Sequence, residues 1–349
     1  MKICFVINDI ETESCGTSVM LMTTAHTRGH EVYVMGVGDF NFHHDAPISI
    51  NSTQVPKSTK TKSPKKFLEA LQSTKARKRK IKSTTLDVLF IRNNPTEEES
   101  GRAWAEQAGI AFGRMMQQQG VLVLNDAYAL SHAFIDKLYF EELPQEIKPD
   151  SLITRNKDDI IEFWEKNNKK VVLKPLEGSG GQNVFLVDEN EKNMNQIIET
   201  ISQQGYVIAQ EFLPAVKDGD VRIILMNGRV MVKDGKQGII RRVSDDGEFR
   251  SNFALGATAD SSDLTPEMQR IVKLTAPKLI RDGLFFVGLD VVKDKLIEIN
   301  VLSPGGMEHF KDIGLPDFTD TVIEAIERKV EYKNLYGNQF TNRELACMQ

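Results

Sequence analysis

Asp290, Glu298 and Asn300 are oxygen donors on two short apolar runs separated by Lys293-Asp294-Lys295. The pattern predicts a β-hairpin over 286–300. With the turn centred on Asp294, Asp290 lies across from Glu298, and strand alternation puts Asn300 on the same face as Glu298. Leu289, Val291, Ile297 and Ile299 then form a core face; a register one residue off would mix the two faces. Opposed carboxylates on a sheet repel each other, and a cation between them removes that cost. Asp, Glu and Asn oxygens suit Mg²⁺, which usually also takes nucleotide phosphate oxygens. The hairpin points to a Mg-nucleotide site; taken alone, it also fits a solvated acidic face.

Groups able to handle phosphate lie upstream. Lys174 closes an apolar strand shortly before Glu177-Gly178-Ser179-Gly180-Gly181. This glycine loop joins two strands rather than opening a helix, which argues against a Walker A loop and against a dinucleotide fingerprint. Its backbone N–H groups can still cover phosphates as a flap. Lys137 sits on an expected helix beside Phe134, Leu138 and Tyr139. Arg222 follows Asp220 on an alternating strand, and Arg242, Arg250 and Asn252 flank the loop 244–248. Fixed guanidinium forks bind phosphate or carboxylate bidentately. A surface lysine, a plain turn and scattered loop arginines are the bland alternatives.

The elements that would position these residues can be read coarsely. A strand at 2–8, a polar loop at 8–17, a helix at 18–28 and a strand at 31–37 predict a small parallel sheet. From Lys57 to Lys82 the chain carries eleven Lys/Arg against one Glu. That segment is expected to be a solvated, partly mobile insertion with one helix at 64–73; the alternative is a basic patch for nucleic acid or an acidic partner. A strand at 86–92, a helix over 97–119, a strand at 121–125 and a helix over 128–140 complete this unit. Helices at 157–168 and 191–203 then alternate with strands at 171–175, 183–188 and 206–212. Strands at 220–225 and 229–234 form a hairpin around Asn227-Gly228. A helix at 265–282 stops at Gly283, and a last one spans 316–329. The tail beyond Tyr332 is polar and receives no assignment.

The 349 residues predict roughly two or three folding units. A hydrophobic share of 40% supports a real core, and the net charge of −5 gives no global sign of nucleic acid or membrane binding. Cys4, Cys15 and Cys347 are far apart and odd in number, so no disulfide framework or zinc spacing follows and a reducing cytosol fits. The N-terminus lacks a basic n-region and a long apolar stretch, so no signal peptide is expected. No apolar run nears the ~18 residues that span a bilayer.

In order, the phrases Thr154-Arg155-Asn156-Lys157, Leu173-Lys174-Pro175-Leu176, Lys217-Asp218-Gly219-Asp220 with Arg222, Arg250-x-Asn252, Gly288-Leu289-Asp290 and Glu298-Ile299-Asn300-Val301-x-Ser303-Pro304 resemble the ATP-grasp superfamily, and within it bacterial glutathione synthetase. The resemblance is dense from Lys137 to Pro304 and thin before that. It implies an α/β chain: a Rossmann-like N-terminal domain at 1–130, a central ATP-grasp lid at 131–207, a C-terminal ATP-grasp unit at 208–332 and a tail at 333–349. Lys137 and Lys174 would contact ATP phosphates under the Gly178, Ser179, Gly180 and Gly181 flap. Glu211, Phe212 and Leu213 would line the adenine pocket, with Asp220 near the ribose or the lysines. Asp290, Glu298 and Asn300 would hold Mg²⁺, or Mn²⁺ in its place. Arg222 would face the transferring phosphoryl group and Arg242 the acceptor, with Arg250, Asn252, Ser303, Gly305 and Gly306 beside the substrates. The implied activity joins γ-glutamylcysteine to glycine through an acyl phosphate, in a cytoplasmic homo-oligomer without nucleic-acid or membrane partners.

Some positions depart from the family pattern. Leu302 and Gly305 stand where the family carries hydroxyl-bearing residues, and Arg92-Asn93-Asn94-Pro95 loses charges after its Arg. These changes fall on the acceptor side, where lost hydrogen-bond partners alter substrate choice. Another ATP-dependent carboxylate–amine ligase, or an ATP-binding module without turnover, are the rival readings.

Overall fold

The computed structural model describes residues 1–95, 101–178, 182–244, 253 and 256–349. In chain order, the N-terminal unit comprises β1 (Lys2–Ile7), α1 (Thr17–Thr27), β2 (Glu31–Gly36), β3 (Phe40–His43), β4 (Ala46–Gln54), α2 (Pro64–Gln72), β5 (Arg77–Lys82), β6 (Val88–Ile91), α3 (Ala103–Glu106), α4 (Ala108–Gln118), β7 (Leu122–Leu124) and α5 (Ala127–His132). The strands β1, β2, β6 and β7 are short apolar runs and pair in parallel. Such runs belong in a sheet covered on both faces, and Ile3–Ile7 are fully buried. The sheet order is β3-β4-β2-β1-β6-β7, with β5 on the far side of β4.

The basic segment is more ordered than expected. Ser63 caps α2, its side chain accepting from the Lys66 N–H, and the helix buries Phe67, Leu68 and Leu71. Residues Arg77–Lys82 form a strand paired antiparallel with β4 from Ser49↔Lys82 to Gln54↔Arg77. An unbroken run of positive charge, without apolar alternation, hid this strand, although lysines are what an exposed sheet edge carries. The expected helix over 97–119 appears as α3 and α4, with 96–100 outside the described residues.

Next come α6 (Asp136–Glu141), β8 (Ser151–Thr154), α7 (Lys157–Lys166), β9 (Val171–Pro175), β10 (Phe185–Val187), α8 (Met194–Gln204) and β11 (Val207–Glu211). The helix expected over 128–140 is thus two, α5 and α6. The four strands form an antiparallel sheet, β10-β9-β11-β8. Ile160, Phe163, Ile198 and Ile201 from α7 and α8 pack on it as a separate small core.

The third unit holds β12 (Asp220–Met226), β13 (Arg229–Val230), β14 (Val232–Lys233), β15 (Lys236–Gln237), β16 (Ile239–Val243), β17 (Thr258–Asp260), α9 (Pro266–Asp282), β18 (Phe286–Val292) and β19 (Lys295–Asn300). The main sheet runs β17-β16-β12-β18-β19. Thr265 caps α9, and Gly283 ends it at φ 71°. In the β18–β19 hairpin, Asp290 lies across from Glu298 as expected, but a bulge beside Asp290 pairs Val291 with Leu296. The bulge corrects the core face: Leu296 is buried and Ile297 only partly so, because an extra residue reverses which side faces in.

The chain closes with α10 (Thr319–Tyr336) and α11 (Asn342–Cys347). The polar tail is therefore folded. Asn342 accepts from the Val123 N–H at 2.8 Å and donates to the Val123 carbonyl at 2.9 Å, completing the edge of β7. Buried Lys329 donates to Asn227 at 2.9 Å and to the Met348 carbonyl at 2.5 Å. Among the described residues, no helix is long and apolar enough to cross a membrane.

Candidate active site

The third sheet assembles a charged row on one face. Register places Asp220 beside Arg242, Arg222 beside Asp290, and Asp290 beside Glu298. Because strand side chains alternate, these residues share a face while Ile223, Leu289 and Ile299 enter the core. Arg222 donates through Nε to Asp290 Oδ1, through Nη2 to Oδ2 at 2.7 Å, and through Nη1 to the Gly305 carbonyl at 3.2 Å. Arg242 grips Asp220 bidentately at 2.6 and 2.8 Å and also donates to Asp290 Oδ2 at 2.8 Å. Asp220, expected near the ribose or the lysines, holds Arg242 through both carboxylate oxygens.

All four charges are buried, and Asp290 is 0% exposed. Burial alone would raise the Asp290 carboxyl, but Arg222 and Arg242 outweigh it and hold it far down, at about 2. Burial drives Asp220 the other way, to about 6, against the pull of Arg242 and with the Asp290 charge adding to the rise. Burial disfavours the Arg242 cation, yet Asp290 and Asp220 raise its pKa overall. The two guanidinium groups thus favour the ionised Asp290 carboxylate.

The donor set fits a hard cation. Glu298 makes no hydrogen bond among the described residues, although it faces the Asp290 carboxylate. Asn300 spends only its amide N–H, on Asp290 Oδ2 at 3.4 Å, which leaves Oδ1 unpaired. Asp290 Oδ1 accepts one bond, from Arg222, and a carboxylate oxygen has room for a second. Mg²⁺ takes six oxygens, commonly one or two carboxylates with waters and phosphates for the rest, and these three side-chain oxygens suit the protein's share.

Across from this row stand two ammonium groups. Lys137 of α6 donates to the carbonyls of Pro175 and Gly178 at 3.0 and 2.9 Å, at the root of the glycine loop. Lys174 of β9 donates to Gln210 Oε1 at 3.1 Å. Neither forms a carboxylate salt bridge among the described residues. Burial and then the neighbouring Lys137 pull the Lys174 ammonium down to about 8, despite Glu298 and Asp136 nearby. Two adjacent cations with no direct carboxylate salt bridge among the described residues are poised for an anion such as a polyphosphate. Asp136 was not singled out in the sequence; burial and then Glu298 raise its carboxyl to about 7. The only signal for it was its place beside Lys137 at the start of a helix.

Lys174 gives a pH prediction. If its charge binds phosphate, kcat/KM for ATP should fall as pH rises above about 8, where the ammonium is lost. Lys174→Arg, whose charge persists, should remove that limb from the profile. An unchanged limb in the arginine variant would assign it to another group.

The other expected residues divide. Glu211 Oε2 accepts from the Asp150 N–H at 2.8 Å. Phe212 is partly exposed and carries Lys170 at 4.5 Å from its ring centre; Leu213 is also partly exposed. Ser303 donates to the Arg92 carbonyl at 2.9 Å. Gly306 adopts φ 107°, where its N–H meets Glu308 at 3.2 Å. Arg92 reaches from the end of β6 to the Pro304 carbonyl at 2.8 Å, and Thr17 donates to Glu308 at 2.5 Å. The N-terminal sheet thus braces the loop that follows the hairpin, a long-range contact invisible in local sequence. Ser179, Gly180, Gly181, Arg250 and Asn252 lie outside the described residues.

Comparison with known proteins bears on this arrangement. Residues 1–130 match the prokaryotic glutathione synthetase N-terminal domain, and residues 136–314 match the prokaryotic glutathione synthetase ATP-grasp domain. The chain is 32% identical over 320 residues to a glutathione synthetase of Vibrio parahaemolyticus, covering 90% of this chain and 93% of that one. It is 29% identical over 334 residues to one of Synechococcus elongatus, covering 95% and 99%. Among solved structures, it is similar to the ATP-grasp ligase PsnB complexed with minimal precursor, Mg and ADP (TM-score 0.59, 15% identity, 94% of this chain and 98% of that one). It is also similar to the macrocyclase MdnC from Microcystis aeruginosa (TM-score 0.61, 13% identity, 94% and 100%). These likenesses in sequence and fold make the chain a member of the prokaryotic glutathione synthetase family, an ATP-dependent ligase built on the ATP-grasp fold.

Proposed function

We propose that this enzyme joins the cysteinyl carboxylate of γ-glutamylcysteine to the amine of glycine, converting ATP to ADP and phosphate. The observation that carries this reading is the pairing of two ammonium groups, Lys137 and Lys174, with the Asp290–Glu298–Asn300 oxygen set. The cations suit the phosphates of ATP, and Asp290, Glu298 and Asn300 would hold Mg²⁺. When bound, Mg²⁺ neutralises phosphate charge during transfer. The acceptor carboxylate attacks the γ-phosphorus, giving an acyl phosphate and ADP; the amine then attacks the acyl carbon and expels phosphate. Phosphoryl transfer needs alignment and charge more than covalent help. Arg222, fixed by Asp290 and Gly305, supplies a rigid guanidinium between the metal set and the substrate loop. Arg242, locked on Asp220, keeps that row from shifting. Preorganised cations of this kind lose little energy to rearrangement during the reaction.

The reading brings the family's further expectations: Mn²⁺ as a substitute for Mg²⁺, a homo-oligomer and a cytoplasmic location. Leu302 and Gly305 favour a second reading, in which the same chemistry joins a different acceptor. One assay separates the possibilities. With Mg-ATP and γ-glutamylcysteine, phosphate release should depend on glycine. Release only with other acceptors or amines would favour the second reading, and none with any would reduce the chain to a nucleotide-binding module.

A further inference from the structure

The turn between β3 and β4 lies at the end of the N-terminal sheet opposite β7 and takes no part in the site above. Pairing of Phe40 with Ile50, Asn41 with Ser49 and His43 with Ala46 leaves His44 and Asp45 as the two turn residues. A tight hairpin turn fixes its backbone, so the positions of His43, His44 and Asp45 are set by the sheet rather than by a loose loop. All three are exposed, and one donor atom from each lies within 4.8 Å of the others. His43 Nδ1 is hydrogen-bonded to Asp45 Oδ1. The two imidazole rings are 4.8 Å apart at 31°. A hydrogen bond between His43 and Asp45 would by itself explain that pair. It gives no reason for His44 to bring a third donor to the same point.

Donors bound to Zn²⁺ at about 2.0–2.2 Å in a tetrahedral array stand about 3.3–3.5 Å apart. Small side-chain rotations would therefore close this triad on an ion. Two imidazoles and one carboxylate suit Zn²⁺, Ni²⁺ or Cu²⁺, whereas Mg²⁺ prefers oxygen ligands alone. We propose that His43, His44 and Asp45 form a surface site for one borderline transition-metal ion, with water in the remaining position and no share in the ligase reaction.

The test uses the full chain in excess Mg²⁺ and ADP, so that hard-oxygen ligands are already engaged. Zn²⁺ is then titrated against a chromophoric chelator. One equivalent should bind to the unaltered protein, and His43→Gln, His44→Gln and Asp45→Asn should each weaken it tenfold or more. Unchanged thermal unfolding midpoints without Zn²⁺ would show the variants folded. No bound equivalent, or binding by the His44→Gln variant equal to that of the unaltered chain, overturns the proposal; the latter result would assign the ion to exposed Cys15 or to another histidine instead.

Discussion

Asp290→Asn should both destabilise the enzyme and stop turnover. The Asp290 carboxylate is fully buried and serves Arg222 and Arg242 together. The amide keeps the shape but removes the charge, leaving two buried guanidinium groups sharing Asp220 alone. Breaking a buried pair from one side costs about 3–5 kcal/mol. Turnover should fall at least about a hundredfold, because Arg222 loses its fixed direction and a metal oxygen loses its charge. Urea unfolding and phosphate release measure the two effects. A variant as stable as the unaltered enzyme would show that the arginines have other partners in solution.

Glu298→Gln should separate those effects. Glu298 has no hydrogen-bond partner among the described residues and faces the Asp290 carboxylate across the hairpin. It also stands near Asp136, whose carboxyl it helps to raise. Removing its charge relieves repulsion with Asp290 and Asp136 and gives up attraction to Lys174 and Arg242, so stability should change little. The loss falls on turnover, about a hundredfold or more, since a metal ligand contributes several kcal/mol to charge stabilisation. The same unfolding and phosphate-release assays apply, at saturating Mg²⁺. Turnover near that of the unaltered enzyme would remove Glu298 from the metal set.

From sequence, these two substitutions look equivalent: both residues are acidic and sit on one hairpin face. Their difference is tertiary. Alternation and turn position predict that Asp290 and Glu298 oppose each other, and they do. Nothing local reveals that β12 and β16 bring two arginines to one carboxylate and none to the other. The bulge that buries Leu296 in place of Ile297 is equally silent, because both are branched apolar residues. Strands rich in Val, Ile and Leu were legible from their apolar runs. The strand Arg77–Lys82 was not, because its stabilising partner is the β4 backbone rather than an apolar face. The tail after Tyr332 escaped for a related reason. Asn342 on β7 and Lys329 on Asn227 and Met348 are polar anchors, and the apolar residues that its short helix buries, Leu345, Ala346 and Cys347, are too few to show a period.

Transfer of oxygen from acceptor to phosphate tests the central claim most directly. If the acceptor carboxylate attacks ATP, one of its oxygens leaves with the phosphate when the amine displaces it. With ¹⁸O in both oxygens of the cysteinyl carboxylate of γ-glutamylcysteine, the phosphate released in the presence of glycine should carry a single ¹⁸O atom. Glycine-dependent release of unlabelled phosphate would contradict carboxylate activation, and with it the roles given to Lys137, Lys174, Arg222 and the Asp290–Glu298–Asn300 set.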